Sequence, residues 1–401
     1  MSSILTSRSF RKISCSVVPE LERLDALCTA WSDLLARSSS NEPMLSPIWL
    51  LSWWRTYGSL GGRKLRVAAF WAGSRLVGLA PLLVRRHRYW PGIPFVRLEA
   101  LGTGERESDN VCSEYMSLIC EQGAEAEVVE AFVAAAVSGA MGPWDELVIP
   151  RMGGDSLLPG LLAQAFSRLG ISSSLTVTES SPFVPLPPNW EAFLQTLKTS
   201  RRYFLKRTLR DFDKWAAGKA RYHQASTPGD LEEGKQILID LHNGRWSGAA
   251  CPGMFRSARF QTFHAAVMPA FLKAGALQLL WLTVRDEPIA AIYNILWNGK
   301  VYFYQSGRKI DLPSKIRPGL VMQAYALRRA IEAGRREYDF LGGAARYKLQ
   351  LALASRPLVQ FRAVRRALRE QARRCADLGV SQILRACGRD SRSSWSVIFR
   401  S

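Results

Sequence analysis

One acid inside an apolar run, two glycines and a tyrosine–lysine pair fall within YDFLGGAARYKLQLA, residues 338–352. A carboxylate at Asp339 needs a partner or a purpose: an arginine, an exposed edge face or a part in chemistry. Gly342 and Gly343 let the backbone approach a ligand or turn sharply. Tyr347 offers a phenol as a general acid, and Lys348 a point charge for a phosphate or an oxyanion. Taken alone, the same residues also describe a strand that turns and a surface Tyr-Lys pair.

What precedes them adds an anion site. VYFYQSGRKIDLPSKIRPGL, residues 301–320, reads as a strand, a basic loop and the start of a helix. Free N–H groups and the helix dipole favour negative charge at such a start, and Gly319 removes side-chain obstruction there. Lys315 and Arg317 can add charge-assisted bonds to phosphate. A solvated loop that merely begins a helix has the same pattern. The motif is neither a P-loop nor the Rossmann glycine fingerprint, so nucleotide hydrolysis and hydride transfer lack support.

These segments need elements to position them, and the elements recur. LRVAAFWAGSRLVGLAPLL from Leu65 and LQLLWLTVRDEPIAAIYNIL from Leu277 both read as hairpins with apolar strands and a polar turn. Each is followed by a helix, a glycine and a strand, at 125–152 and at 319–343. The order predicts an internal duplication. Between the halves, SSPFVPLPPNW (180–190) reads as a linker. The segment 191–218 follows as one predicted amphipathic helix, with Arg201, Arg202, Lys206, Arg207, Arg210 and Lys214 on its basic face.

Composition narrows the function classes. The chain of 401 residues carries a formal charge of +20, which favours anionic partners. From Arg356 to Ser401 there are eleven arginines and three acids, and 361–389 reads as a helix that could lie on anionic lipid or pack on its own domain. Seven scattered cysteines and four histidines give no metal or disulfide spacing, so no metal is expected. No transmembrane stretch is visible, and the expected location is cytoplasmic, with peripheral contact at an inner membrane left open. The opening residues read as a short leader running into a strand at 13–18.

In the order and spacing of SPIWLLSWWRTYG, SRRYFLKRTLRDFDK, DEPIAAIYNILWNGKVYFYQSG, RPGLVMQAYALRRAIEAG and YDFLGGAARYKLQLA, the chain resembles the CelD/BcsL-type acetyltransferases. These are tandem-domain members of the GNAT superfamily, related to the Fem aminoacyl and peptidyl transferases. The resemblance runs from about residue 13 to 356. It implies an α/β fold of two GNAT-like domains, each a mixed sheet flanked by helices and joined by a basic helical segment. The expected division is 1–182, a degenerate domain on the acceptor side; 183–218, linker and basic helix; 219–360, the acyl-CoA domain; and 361–401, a basic tail.

The resemblance further implies acetyl-CoA or another acyl-CoA as co-substrate, with its pyrophosphate at Lys315, Arg317 and Gly319. The main chain at Ser306 and Gly307 would polarise the thioester. Asp339 would help deprotonate the acceptor or orient the base, Lys348 would stabilise charge, and Tyr347 would protonate the leaving thiolate. Gly342, Gly343 and Arg202 are the expected substrate contacts. The acceptor would be a small molecule or a saccharide, as in exopolysaccharide synthesis. Two departures stand out: one glycine remains of the family's phosphate loop, and Leu349, Gln350 and Leu351 replace its aromatic after Tyr-Lys. Two other readings compete: a Fem-like transferase that takes aminoacyl-tRNA, and a non-enzymatic basic adaptor at a membrane surface.

Overall fold

The computed structural model describes residues 13–246, 253–343, 345–365 and 367–386. The chain begins with β1 (Ile13–Val18), α1 (Leu21–Ala26), α2 (Cys28–Ala36) and α3 (Pro47–Tyr57). Strands β2 (Lys64–Leu65), β3 (Val67–Ala72), β4 (Arg75–Ala80), β5 (Leu82–Tyr89), β6 (Ile93–Ala100) and β7 (Ile119–Cys120) follow. Then come α4 (Glu125–Ser138), β8 (Glu146–Gly153) and α5 (Leu158–Arg168). The middle of the chain holds β9 (Ser172–Pro185), α6 (Trp190–Thr196), α7 (Thr199–Ala216), β10 (Ala220–Gln224), α8 (Pro228–Trp246) and α9 (Ala258–Lys273). Last are β11 (Leu277–Val284), β12 (Glu287–Trp297), β13 (Lys300–Arg308), α10 (Pro318–Glu332), β14 (Glu337–Asp339), α11 (Arg346–Leu351), β15 (Ala354–Val364) and α12 (Ala367–Ala386). This is the mixed α/β class that the sequence predicts.

The chain forms two compact units. The first comprises residues 1–107, 111–178 and 359–401, and the second 108–110 and 179–358, so the chain changes unit within β9 and again within β15. In the first unit, β1-β3-β4-β7 make one sheet and β8-β6-β5-β2 lie in another. In its core, α3, capped by Ser46 Oγ accepting from Trp49 N–H at 3.3 Å, buries Trp49, Trp53 and Tyr57.

The second unit has the order β10-β11-β12-β13-β14-β9. β11 is buried along its whole length, as expected of a strand covered on both faces. Helices α6, α7 and α10 pack Phe193, Leu205, Phe212 and Leu327 with Leu280, Ile292 and Val301 of the strands. The single helix predicted over 191–218 is in fact two. Leu197 leaves helical geometry (φ −74°, ψ 138°) and buries its side chain, which ends α6 before α7 begins.

The predicted duplication is partly present: β11 and β12 lead directly to β13, whereas the β3–β4 hairpin lies in a different sheet from β6 and is followed by the further hairpin β5–β6. After β6 and after β13 a helix follows, and a later strand returns parallel: β8 on β6 and β14 on β13. The first residue of each returning strand is a glutamate facing a base across the ladder, Glu146 opposite Arg97 and Glu337 opposite Lys300. Arginines of β15 complete both groups. Arg362 lies 2.8 Å from Glu146, and Arg356 2.6 Å from Glu337. Such pairs satisfy carboxylates that the sheet would otherwise bury unpaired.

Candidate active site

The second unit opens where β13 and β14 part. Their parallel ladder covers only Lys300–Tyr302 against Glu337–Asp339, while β13 runs on to Arg308. Two local features explain the divergence. Tyr304 is an extra residue in β13, since Tyr293 faces Gln305 and Asn294 faces Phe303, and such a bulge bends a strand. On the other side Leu341 adopts φ 57°, a left-handed conformation that turns the chain away after β14.

Leu341 is held there by two side chains. Asp339 Oδ1 accepts its N–H at 2.7 Å, and Lys348 Nζ donates to its carbonyl at 3.2 Å. Lys348 also donates to Gly342 O at 2.6 Å. Asp339 has no solvent exposure; Ser181 Oγ donates to it at 2.8 Å, and Arg356 Nη1 stands 3.9 Å from its other oxygen. Asp339 and Lys348 therefore shape the Phe340–Gly343 turn. Gly343 is left-handed at φ 100°, which explains its residue type.

Tyr347 stands on the open edge. Its ring meets Phe303 edge-on at 6.0 Å, and Lys348 Nζ lies 6.0 Å from the same ring. Burial pushes the Tyr347 phenol up to about 12, against the pull of Arg245, so it stays protonated at neutral pH. Arg308 has its guanidinium pulled below the usual range by burial and then by the charge of Arg245.

Register assigns different parts to Ser306 and Gly307. Lys309 N–H bonds Ile289 O at 2.9 Å, so antiparallel alternation also turns the Gly307 N–H toward β12. The N–H groups of Ser306 and Arg308 then face the open edge. Gly307 serves packing: a Cβ there would lie 2.6 Å from His242 N and 2.7 Å from Leu241 Cβ. Only glycine lets α8 approach β13 this closely.

Helix α10 begins at the same end. Arg317 is its N-cap residue and Pro318 its first, and Leu320 and Val321 N–H both bond Arg317 O. A Cβ at Gly319 would meet Arg308 Cδ at 3.2 Å, so the arginine lies across the helix start. The Arg317 guanidinium sits 5.0 Å from the centre of the Phe204 ring, while Lys315 is exposed. Beside Phe204 is a cavity of about 180 Å³ lined by Arg201, Leu205, Leu320 and Leu351. Arg202 is not among its lining residues. It shares a neighbouring face of α7 with Tyr203, Lys206, Arg207 and Arg210.

Two groups near the opening are not readable from sequence. Tyr338 Oη donates to Gln323 at 3.0 Å, and Asn294 Nδ2 donates to Gln278 at 2.9 Å, a buried chain that ties α10 to the sheet. His264 Nε2 lies 3.1 Å from Tyr304 Oη at the bulge, and burial brings its imidazole down to about 3. His242, behind Gly307, is likewise lowered to about 4, mainly by burial. Their partners are far away in the chain, which is why spacing gave no hint. Among the described residues no group of His, Cys, Asp and Glu could hold a metal ion.

Residues 199–349 match the family profile described as an acetyltransferase (GNAT) domain. The opening, the start of α10 and the Tyr-Lys pair all fall within that GNAT match. Solved structures with a similar fold include FemX, at TM-score 0.58 and 11% identity, covering 84% of this chain and 96% of that one. Another is the C-terminal domain (DUF2156) of a putative lysylphosphatidylglycerol synthetase from Agrobacterium fabrum. There the TM-score is 0.50 and the identity 11%, covering 90% of this chain and 96% of that one. At such identities the likeness is one of fold. The search of curated proteins gave no match.

Proposed function

We propose that the second unit transfers an acyl group from an acyl-CoA thioester to an amine or hydroxyl, within the CelD/BcsL-type branch of the GNAT proteins. The observation that carries this reading is the open edge of β13, bulged at Tyr304, ending beside the arginine-flanked start of α10. Extended pantetheine suits an unpaired strand edge, and a pyrophosphate suits a helix start flanked by Arg308, Arg317 and Lys315.

In this mechanism the acceptor attacks the thioester carbonyl carbon and the carbon–sulfur bond breaks. Ser306 N–H donates to the carbonyl oxygen as charge develops on it. Tyr347, protonated at neutral pH, gives its proton to the departing sulfur, and the proton lost by the acceptor restores the phenol. Of the two parts expected for Asp339, orientation fits its enclosed position; with Lys348 it keeps the Leu341–Gly343 turn in place. The Lys348 charge also lies beside the glycines where an acceptor would arrive. A saccharide acceptor, as in exopolysaccharide synthesis, belongs to the same proposal.

The test follows thiol release from a panel of acyl-CoA esters with amine and sugar acceptors. Acceptor-dependent release that falls at least tenfold in Tyr347→Phe is expected. No release with any ester, or a Tyr347→Phe protein of full activity, would overturn the proposal. A second reading, aminoacyl-tRNA as donor, draws on the basic face of α7 at Arg202, Lys206, Arg207 and Arg210. Salt-sensitive tRNA binding without CoA binding would favour it.

A further inference from the structure

Helix α12 docks on the first unit through its charged side. Glu370, 6% exposed, accepts from Arg362 Nη2 at 2.8 Å, Arg373 Nη2 at 2.8 Å and Arg374 Nε at 2.9 Å. Arg362 reaches on to Glu146, which has no exposure, and Arg369 Nη1 binds Asp145 Oδ2 at 2.5 Å and Pro94 O at 3.2 Å. Arg373 also pairs with Asp377. At 100° per residue, positions 368, 372, 375 and 378 lie on the opposite side of the helix from 370, 373 and 377.

That outward side is the apolar one. Leu368 is 82% exposed and Leu378 62%, with Ala372 and Cys375 exposed between them. Surface helices ordinarily turn such a stripe inward. Arg374, 63% exposed at its side chain, borders the stripe. The β5–β6 hairpin, whose Pro94 carbonyl receives Arg369, carries Trp90 at its tip, 52% exposed, with Arg86 and Arg88 exposed on β5.

We propose that the outward face of α12, with the Trp90 hairpin, is a docking surface for an anionic lipid bilayer. Leucines beside arginines, and a tryptophan on a turn, are the residues that settle at the headgroup boundary. The charge is complementary: the chain carries +20, and residues 356–401 hold eleven arginines and three acids. The same charge disfavours a second copy on this face, because two arginine-bordered stripes would repel. Contact is peripheral: among the described residues no helix is long and apolar enough to cross a membrane. The inference is independent of the acyl-transfer reading.

The test is co-sedimentation of the full chain with vesicles of phosphatidylcholine, alone or with about one-third phosphatidylglycerol. Binding to the anionic vesicles only is expected. Leu368→Glu combined with Leu378→Glu should weaken it at least tenfold, with the melting temperature unchanged because these side chains face solvent. Equal binding by wild type and the double variant would overturn the proposal. So would a double variant that melts earlier while still binding vesicles, which would mean the chain's own residues cover the face. A dimer that dissociates in the double variant, with no vesicle binding by wild type, would assign the face to a second copy and overturn it too.

Discussion

Replacing Lys348 with methionine keeps the length of the side chain and deletes both bonds that it donates to the turn, to Leu341 O and Gly342 O. Bonds from a charged donor contribute about 1.5–3 kcal/mol each in good geometry. Lys348 is half-buried and one of its bonds is long, so we expect about 2 kcal/mol for the pair. The turn also stores roughly 1 kcal/mol in the left-handed Leu341. Hydrogen exchange over residues 338–352 measures this locally, without requiring the two units to unfold together. A loss of about 2 kcal/mol corresponds to roughly thirtyfold faster exchange at 341–343. Asp339→Asn should act on the same turn through the Leu341 N–H. Because both residues hold Leu341, one by its N–H and the other by its carbonyl, the double variant should be non-additive by about 0.5–1 kcal/mol. Exchange within twofold of wild type in Lys348→Met, or strict additivity, would refute the clamp.

Gly307→Ala should lower stability by about 1–3 kcal/mol, since its methyl meets the main chain of α8, whereas Ser306→Ala should be nearly neutral; urea titration separates the two. Tyr347→Phe should reduce kcat at least tenfold and leave KM for the acyl-CoA within about threefold. The wild-type profile should show no phenol ionisation below pH 9, because Tyr347 is held up at about 12. In the first unit, burial pushes the Glu105 carboxyl up to about 7, although Trp53 donates to it at 2.5 Å. The folded state therefore holds its proton longer than the unfolded state, and stability falls as pH rises from 4.5 through 7, by about 3 kcal/mol. Glu105→Gln should flatten that fall in thermal melts; an unchanged slope would show that another group causes it.

The sequence was most legible where the signal is local. The polar turn between two apolar runs placed β11 and β12, and the basic loop running into Gly319 placed the start of α10. The part of the repeated order that both units share, a helix and then a strand, was also visible, because it depends on periodicity alone. The break at Leu197 was not, since it is decided by what that leucine buries against. Ser306 and Gly307 looked equivalent as neighbours in a strand, and only the register with β12 separates the N–H on the open edge from the one in the ladder. Asp339 offered three explanations in sequence; its enclosure with Ser181, Leu341 and Arg356 comes from residues up to 158 positions away. The face of α12 is the sharpest case. A helix was expected over 361–389, but residues 361–364 belong to β15 and the helix begins at Ala367; the side that turns inward is set by Glu146 and Arg362, outside it.

The central claim is that the second unit binds an acyl-CoA along β13 with its phosphates at the start of α10. Calorimetric titration of acetyl-CoA into the full chain tests it most directly, with Gly319→Asp as the paired variant, which places a carboxylate and a Cβ at the helix start. The account predicts one site per chain in wild type, binding weakened at least tenfold in Gly319→Asp, and unchanged binding in Tyr347→Phe. No heat with wild type, or equal affinity in Gly319→Asp, would contradict it.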